Sequence, residues 1–230
     1  MAKTNQLKAQ MLEAMLDAGC IVPGPIFGKD GFISPSNPSA KIALNSAQFL
    51  QLLPQAVKRL IPDASGIDIV CGIETSGIPV AALVAYALKK PFAYVRKKPK
   101  PYGRGLAIQG GVSGKRVLLV DDLLFYGETK DDAINKIHQA QGHLVGTFVI
   151  VTMDPQSAAW AAKHKITLLR LFDRDELYRD AAARGMISRE LYEFEQALYG
   201  RRDWLYWHTD KKLWQRYCEI MKTDPLFHHL

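Results

Sequence analysis

Between Ile67 and Phe172, short apolar runs alternate with segments of helical periodicity. The runs fall at 67–71, 92–95, 116–120, 144–153 and 166–172, and helices are expected over 76–89, 129–141 and 155–163. Strands apolar on both faces must be covered on both, which a parallel sheet with crossover helices achieves. Such crossovers are right-handed, and ligands collect at the carboxyl ends of the strands. The expected fold is therefore α/β, with a central, mainly parallel sheet flanked by helices. Composition agrees. Of 230 residues, 48% are hydrophobic and 23% charged, enough apolar material for one core and too much for a disordered chain. The longest apolar run, Leu144 to Met153, is broken by Gly146 and Thr147 and falls short of the ~20 residues a membrane helix needs.

On either side of this core the pattern changes. Residues 5–18 carry Leu7, Met11, Leu12, Met15 and Leu16 at helical spacing. Glycines and prolines make 19–39 an irregular or short-hairpin segment, and 45–60 reads as a helix capped by Asn45 or Ser46, with Pro62 beyond its end. After Phe172 the strands stop. Helices are expected over 173–183 and 188–198, and the last thirty residues are aromatic and basic, with Trp204, Tyr206, Trp207, Trp214 and Tyr217. The chain thus divides into 1–62, 63–172 and 173–230. Cys20, Cys71 and Cys218 are too few and scattered for a disulfide framework or a zinc site, and residues 1–10 are too polar for a secretory signal. A reducing cytoplasm is the expected compartment. The net charge of +7 points to an anionic partner, with nucleic acid and phosphorylated small molecules both open.

The densest chemical signal runs from Val117 to Thr129: an apolar strand, the acids Asp121 and Asp122, a short loop with Gly127, and a helix. Neighbouring strand residues point to opposite faces, so two adjacent acids are expected where the strand leaves the sheet. There they can accept hydrogen bonds from vicinal hydroxyls or sit near a hydrated metal. The helix beyond them presents free N–H groups to a phosphate. A diol site beside a phosphate site describes a phosphorylated ribose, and a simple helix cap is the alternative.

This stretch resembles the phosphoribosyl-pyrophosphate (PRPP) motif of the type I phosphoribosyltransferases. From Gly19 to Phe172 the chain resembles the orotate phosphoribosyltransferases among them. Three further pieces follow the family's order. Cys71 to Pro79 is similar to its pyrophosphate loop, Arg96 to Gly105 to its mobile basic loop, and Lys29 with Ser34 and Pro35 to its base-covering segment. The resemblance implies a type I phosphoribosyltransferase fold with an N-terminal hood and a helical C-terminal extension. It implies Mg²⁺ held mainly through PRPP rather than by protein ligands, a pyrimidine base, orotate, as co-substrate, and a homodimer whose basic loop reaches the neighbouring site. Nucleic acid is then not the expected partner.

Residue roles follow from the same resemblance. Asp121 and Asp122 hold the ribose hydroxyls, and Leu123, Leu124, Phe125, Tyr126, Gly127, Glu128 and Thr129 cradle the 5-phosphate. Glu74, Thr75, Ser76 and Gly77, with Arg96, Lys97, Lys100 and Tyr102, bind the pyrophosphate end, and Lys29 of the base-covering segment also contacts PRPP. Lys100, Arg96 and Lys97 neutralise the leaving group, and Phe125 and Pro155 lie against the base. The chain also departs from the family. Phe125-Tyr126-Gly127-Glu128 replaces a threonine-rich loop, Tyr102 a histidine and Arg104 an acid. Pro155 stands at or near the place of an arginine that meets the orotate carboxylate. A transferase for another base, or a degenerate PRPP- or nucleotide-binding regulator, therefore stays open. Elsewhere, Glu190, Glu193 and Glu195 are expected on a solvated helix face. The aromatic tail is expected to pack on the body or on a second copy, and His228 with His229 to hold no metal.

Overall fold

A computed structural model describes residues 2–28, 31, 33–98, 106–125, 127–153, 156–199 and 204–228. The chain opens with α1 (Ala2–Asp17), whose Leu7, Met11, Leu12, Met15 and Leu16 are all buried as their spacing predicts. The segment after it is an antiparallel hairpin, β1 (Ile21–Phe27) and β2 (Ile33–Pro38), paired from Ile21 with Pro38 to Phe27 with Ile33. Its strands approach so closely that a Cβ on Gly24 would lie 2.2 Å from the Pro35 carbonyl oxygen. Ser46 caps α2 (Ala47–Leu60), its hydroxyl accepting from the Phe49 N–H at 3.2 Å.

The core then alternates β3 (Ile69–Ile73), α3 (Gly77–Leu88), β4 (Phe92–Val95), β5 (Ile108–Gln109), β6 (Arg116–Leu124), α4 (Glu128–Gln139), β7 (His143–Thr152), α5 (Ser157–Lys163) and β8 (Thr167–Asp173). The six strands form one sheet in the order β5-β4-β3-β6-β7-β8, parallel except for β5 against β4. β5 lies in the polar, glycine-rich stretch, where no apolar pattern announces a strand. In β6, Val117 and Leu119 join the cluster under α4 and α5, while Leu118 and Val120 join the one under α1, α2 and α3. That is the two-residue period of a sheet covered on both faces. The chain leaves β3 toward one edge and β6 toward the other. The β3–β6 boundary is therefore the switch point where an open α/β sheet forms its ligand crevice.

Beyond the sheet lie α6 (Arg174–Ala183), α7 (Arg189–Tyr199) and α8 (Lys211–Thr223). Asp173 caps α6 in a capping box with Glu176. The aromatic tail packs on the body. Trp207 and Tyr217 are buried with ring centroids 5.1 Å apart, beside Phe194 and Trp214. Trp207 Nε1 donates to the Ile33 carbonyl at 2.6 Å and the Tyr217 hydroxyl to the Pro35 carbonyl at 2.7 Å, so the tail grips β2.

One expectation fails here. Glu190 and Glu193 are exposed, but Glu195 is 0% exposed. Its carboxylate pairs with the buried Arg174 guanidinium and accepts from the Ser36 hydroxyl, which also bonds the Tyr178 hydroxyl. Glu195 shares its helix face with Leu191, Phe194 and Leu198, all of them buried, and the Arg174 charge and Ser36 hydroxyl make that place tolerable for a carboxylate. No helix among the described residues is long and apolar enough to cross a membrane.

Candidate active site

The crevice is built from the exits of β3 and β6. Beyond β3, Glu74, Thr75 and Ser76 lead into α3 through a cis Glu74–Thr75 peptide. The Glu74 N–H donates to the Val95 carbonyl at 2.9 Å. A Cβ on Gly77 would lie 2.7 Å from the Val120 carbonyl oxygen and 2.8 Å from Asp121 Oδ1. Only glycine lets the first turn of α3 descend beside β6. The Ser76 side chain makes no cap bond, so it occupies none of the first free N–H groups of α3.

The acid pair lies inside β6 and not past its end, which corrects the sequence expectation. Pairing with β3 stops at Gly72 with Val120, whereas pairing with β7 continues from Asp121 with Val149 to Leu124 with Thr152. The strand thus outlasts its apolar run because β7 is long, and the acids stand where β6 has lost one neighbour. They are not equivalent. Asp121 is buried, its Oδ1 accepting from the Asp122 N–H at 3.0 Å and its Oδ2 from Lys130 Nζ at 2.6 Å. Lys130 Nζ also donates to the Leu123 carbonyl. Asp122 is half-buried. Burial, reinforced by the Asp121 charge and opposed by Lys130, pushes its carboxyl up to about 6.

Phe125 is half-buried beyond Leu124, and Gly127 opens α4 at φ +90° without a side-chain cap. A Cβ there would meet Trp160 Nε1 at 2.3 Å. The indole N–H donates to Asp131 Oδ1 at 2.7 Å, and the Asp131 N–H to the Gly127 carbonyl at 2.8 Å. Glu128 and Thr129 are exposed. On the expectation from the family resemblance that this turn receives the 5-phosphate, Gly127→Ala should weaken PRPP binding at least roughly tenfold, because both backbone strain and the indole oppose it. Gly114→Ala is the control, with φ +68° but nothing within 4 Å and a place before β6. Calorimetric titration with PRPP reads both, and equal effects would detach Gly127 from the phosphate site.

The basic loop enters at its stem. The Arg96 N–H donates to the Ala107 carbonyl at 2.8 Å, and the Lys97 N–H to Glu74 Oε2 at 2.9 Å. Lys136 Nζ on α4 donates to the Arg96 and Lys97 carbonyls at 2.9 and 3.0 Å and to Asp132 Oδ2 at 2.6 Å. The guanidinium of Arg96 donates to the Tyr94 hydroxyl at 3.1 Å. The fold thus brings Glu74 against Lys97 and Gly77 beside Asp121 at the exits of β3 and β6, with Thr75 and Ser76 before Gly77, Arg96 before Lys97, and Asp122 to Phe125 and Gly127 to Thr129 following Asp121 along the chain, Leu124 among them fully buried in the core. Lys29, Lys100, Tyr102, Tyr126 and Pro155 fall outside the described residues. Sequence reasoning missed Lys130, Lys136 and Trp160. For Lys130 a signal existed, since it shares a helix face with the buried Ala133, Ile134 and Ile137.

Residues 44–168 match the phosphoribosyl transferase domain model, more than half of the chain. The chain belongs to this family. It is 33% identical over 159 residues to the orotate phosphoribosyltransferase of Pyrobaculum aerophilum, covering 67% of this chain and 80% of that protein. It is 40% identical over 141 residues to the orotate phosphoribosyltransferase of Ruegeria sp. (strain TM1040), covering 60% and 62%. Among solved structures, Leishmania donovani UMP synthase superposes with a TM-score of 0.72 at 22% identity, over 83% of this chain and 41% of that one. The Aeropyrum pernix orotate phosphoribosyltransferase gives 0.64 at 19% identity, over 75% and 98%. The fold is that of the phosphoribosyltransferases. The family match contains the β3 exit, the loop stem and the acid pair. The β1–β2 hairpin and the helices that grip it lie outside.

Proposed function

We propose that the chain is an orotate phosphoribosyltransferase, transferring the 5-phosphoribosyl group of PRPP to orotate and yielding orotidine 5'-phosphate and pyrophosphate in pyrimidine nucleotide biosynthesis. The observation that carries this reading is the switch point between β3 and β6, where Asp121 lies beside Gly77 at the start of α3 and is bonded by Lys130 of α4, half-buried Asp122 follows it, and neither helix N-terminus is capped by its N-cap side chain. The names of the relatives supply the base. In this reading the ribose hydroxyls donate to Asp122, and the 5-phosphate lies against the N–H groups around Gly127. The pyrophosphate takes the exit of β3, beside Arg96 and Lys97.

The reaction breaks the bond from C1 of the ribose to a pyrophosphate oxygen and forms a bond from C1 to N1 of orotate. The electron pair leaves with pyrophosphate, and N1 gives up its proton. Positive charge on the ring and negative charge on the leaving group grow together. The protein's part is to position the reactants and to meet that charge with fixed N–H groups and with Lys100, Lys97 and Arg96. Closure of the basic loop excludes water, and the β1–β2 hairpin serves as the hood over the base. Mg²⁺ belongs to this reading as a companion of the substrate. In this reading its ligands would be mainly the oxygens of PRPP and water. A homodimer is part of the same proposal, and gel filtration with light scattering should give the mass of two chains. The free thiols of Cys20, Cys71 and Cys218 fit a reducing cytoplasm.

The test is pyrophosphate release from PRPP and Mg²⁺ with a panel of bases. Release is expected with orotate and not with purines. Release with a purine alone would overturn the choice of base, and binding of PRPP without release from any base would overturn the enzyme.

A further inference from the structure

The transferase reading leaves unanswered why the two acids have such different surroundings. Both Asp121 oxygens are engaged inside the protein, one by the Asp122 N–H and the other by Lys130. Lys130 is itself 6% exposed, and its second acceptor is the Leu123 carbonyl on the same strand. Asp121 is thus held inward while Asp122 keeps contact with solvent. Resting on the transferase reading, we propose that Lys130 is a positioning residue of the PRPP site. It acts through Asp121, locking that carboxylate away from substrate and leaving Asp122 as the acid that receives the ribose hydroxyls.

Electrostatics gives the arrangement its purpose. PRPP carries its charge on a phosphate and a pyrophosphate at either end of the ribose. A diol needs a negative acceptor, yet every further carboxylate beside the ribose repels that substrate. Asp121 and Asp122 alone would place two negative charges there, and the Lys130 ammonium leaves one. Among the described residues, the charged groups acting on Asp122 are Asp121 on its own strand and Lys130 from α4. The neighbouring strand brings Val149, Val151 and Thr152, and α3 brings Gly77, none of them charged. Lys130 is therefore the charged group that favours the ionised form of Asp122, alongside the Leu123 N–H that donates to it.

The experiment is calorimetric titration of the full chain with PRPP and Mg²⁺ from about pH 5 to about pH 9, with thermal melts alongside. Wild-type affinity should rise as the pH passes about 6, where the Asp122 carboxyl ionises, and then level off. Lys130→Met should lose roughly tenfold or more in affinity at neutral pH, with the break moved upward. Lys130→Arg should keep the break near that of the wild type. The double variant Asp121→Asn with Lys130→Met, which removes both buried charges, should recover most of the affinity and bring the break back down. It also carries the test if Lys130→Met alone does not fold. A Lys130→Met protein with the wild-type affinity and break would overturn the proposal. So would a double variant that binds no better than the single one, because Asp121 would then be the acid the ribose needs. A wild type that binds no PRPP overturns the transferase reading together with this inference, whereas the other outcomes bear on Lys130 alone.

Discussion

Asp122→Asn is expected to lower kcat/KM for PRPP about a hundredfold, the loss of roughly two hydrogen bonds to a charged acceptor, while the folded protein becomes no less stable at neutral pH. The two halves share a cause. Asp122 has its carboxyl raised from 3.8 to about 6, with burial the larger cause and the Asp121 charge the second. The sign follows from proton linkage. Above about 6 the group is ionised in both states, and the folded state bears the cost of an ionised carboxylate it disfavours. Below 3.8 it is protonated in both, and that cost is gone. That cost is about 1–3 kcal/mol, which asparagine avoids. The variant should therefore melt at or above the wild-type temperature at pH 7, with the advantage shrinking as the pH falls from about 6 toward 4. Melts across that range with steady-state kinetics at neutral pH check both halves. An active variant that is less stable than the wild type would show Asp122 to be a structural acid.

Glu195→Ala acts in the opposite sense, with a large expected cost in stability and an indirect effect on function. It leaves the Arg174 guanidinium, 4% exposed, without its carboxylate, and removes the acceptor of the Ser36 hydroxyl. Breaking one side of a buried pair costs about 3–5 kcal/mol, which lowers the melting temperature of a chain this size by roughly 10 °C. Arg174 also stacks between Tyr178 and Tyr199, its guanidinium carbon 4.2 and 3.5 Å from the ring centroids. Replacing both partners, Arg174→Met with Glu195→Leu, should recover most of the loss, since no charge then stays buried. Denaturant unfolding of the three proteins checks this. Because Ser36 belongs to β2, the Ala variant should also raise KM for orotate more than KM for PRPP if the hairpin covers the base.

These variants turn on residues whose surroundings the sequence discloses unevenly. The sheet was legible because β3, β6 and β7 are apolar on both faces, and that pattern has few solutions. The acid pair and the glycine turns were legible as the region where the chain leaves β3 and β6. What the sequence hides is charge placed on an inward helix face. Lys130 shares its face with Ala133, Ile134 and Ile137, Arg174 with Leu177, Tyr178 and Ala181, and Glu195 with Leu191, Phe194 and Leu198. In each case the period marks the position as buried, and only the fold supplies the partner, nine residues away for Lys130 and 159 for Glu195 with Ser36. Reading charge by composition placed Glu195 in solvent, whereas reading it by periodicity would have placed it inside. The remaining misses are backbone events. β5 pairs through two residues, and β6 outlasts its apolar run because β7 extends beside it. Side-chain pattern records neither.

PRPP is expected to occupy the crevice between the exits of β3 and β6. A crystal structure of the protein with PRPP and Mg²⁺ tests it most directly. The expected result places the ribose hydroxyls within hydrogen-bond distance of Asp122, the 5-phosphate against the N–H groups that begin α4 at Gly127, and the pyrophosphate beside Thr75 to Gly77. PRPP bound elsewhere, or with its hydroxyls away from both acids, would contradict the account.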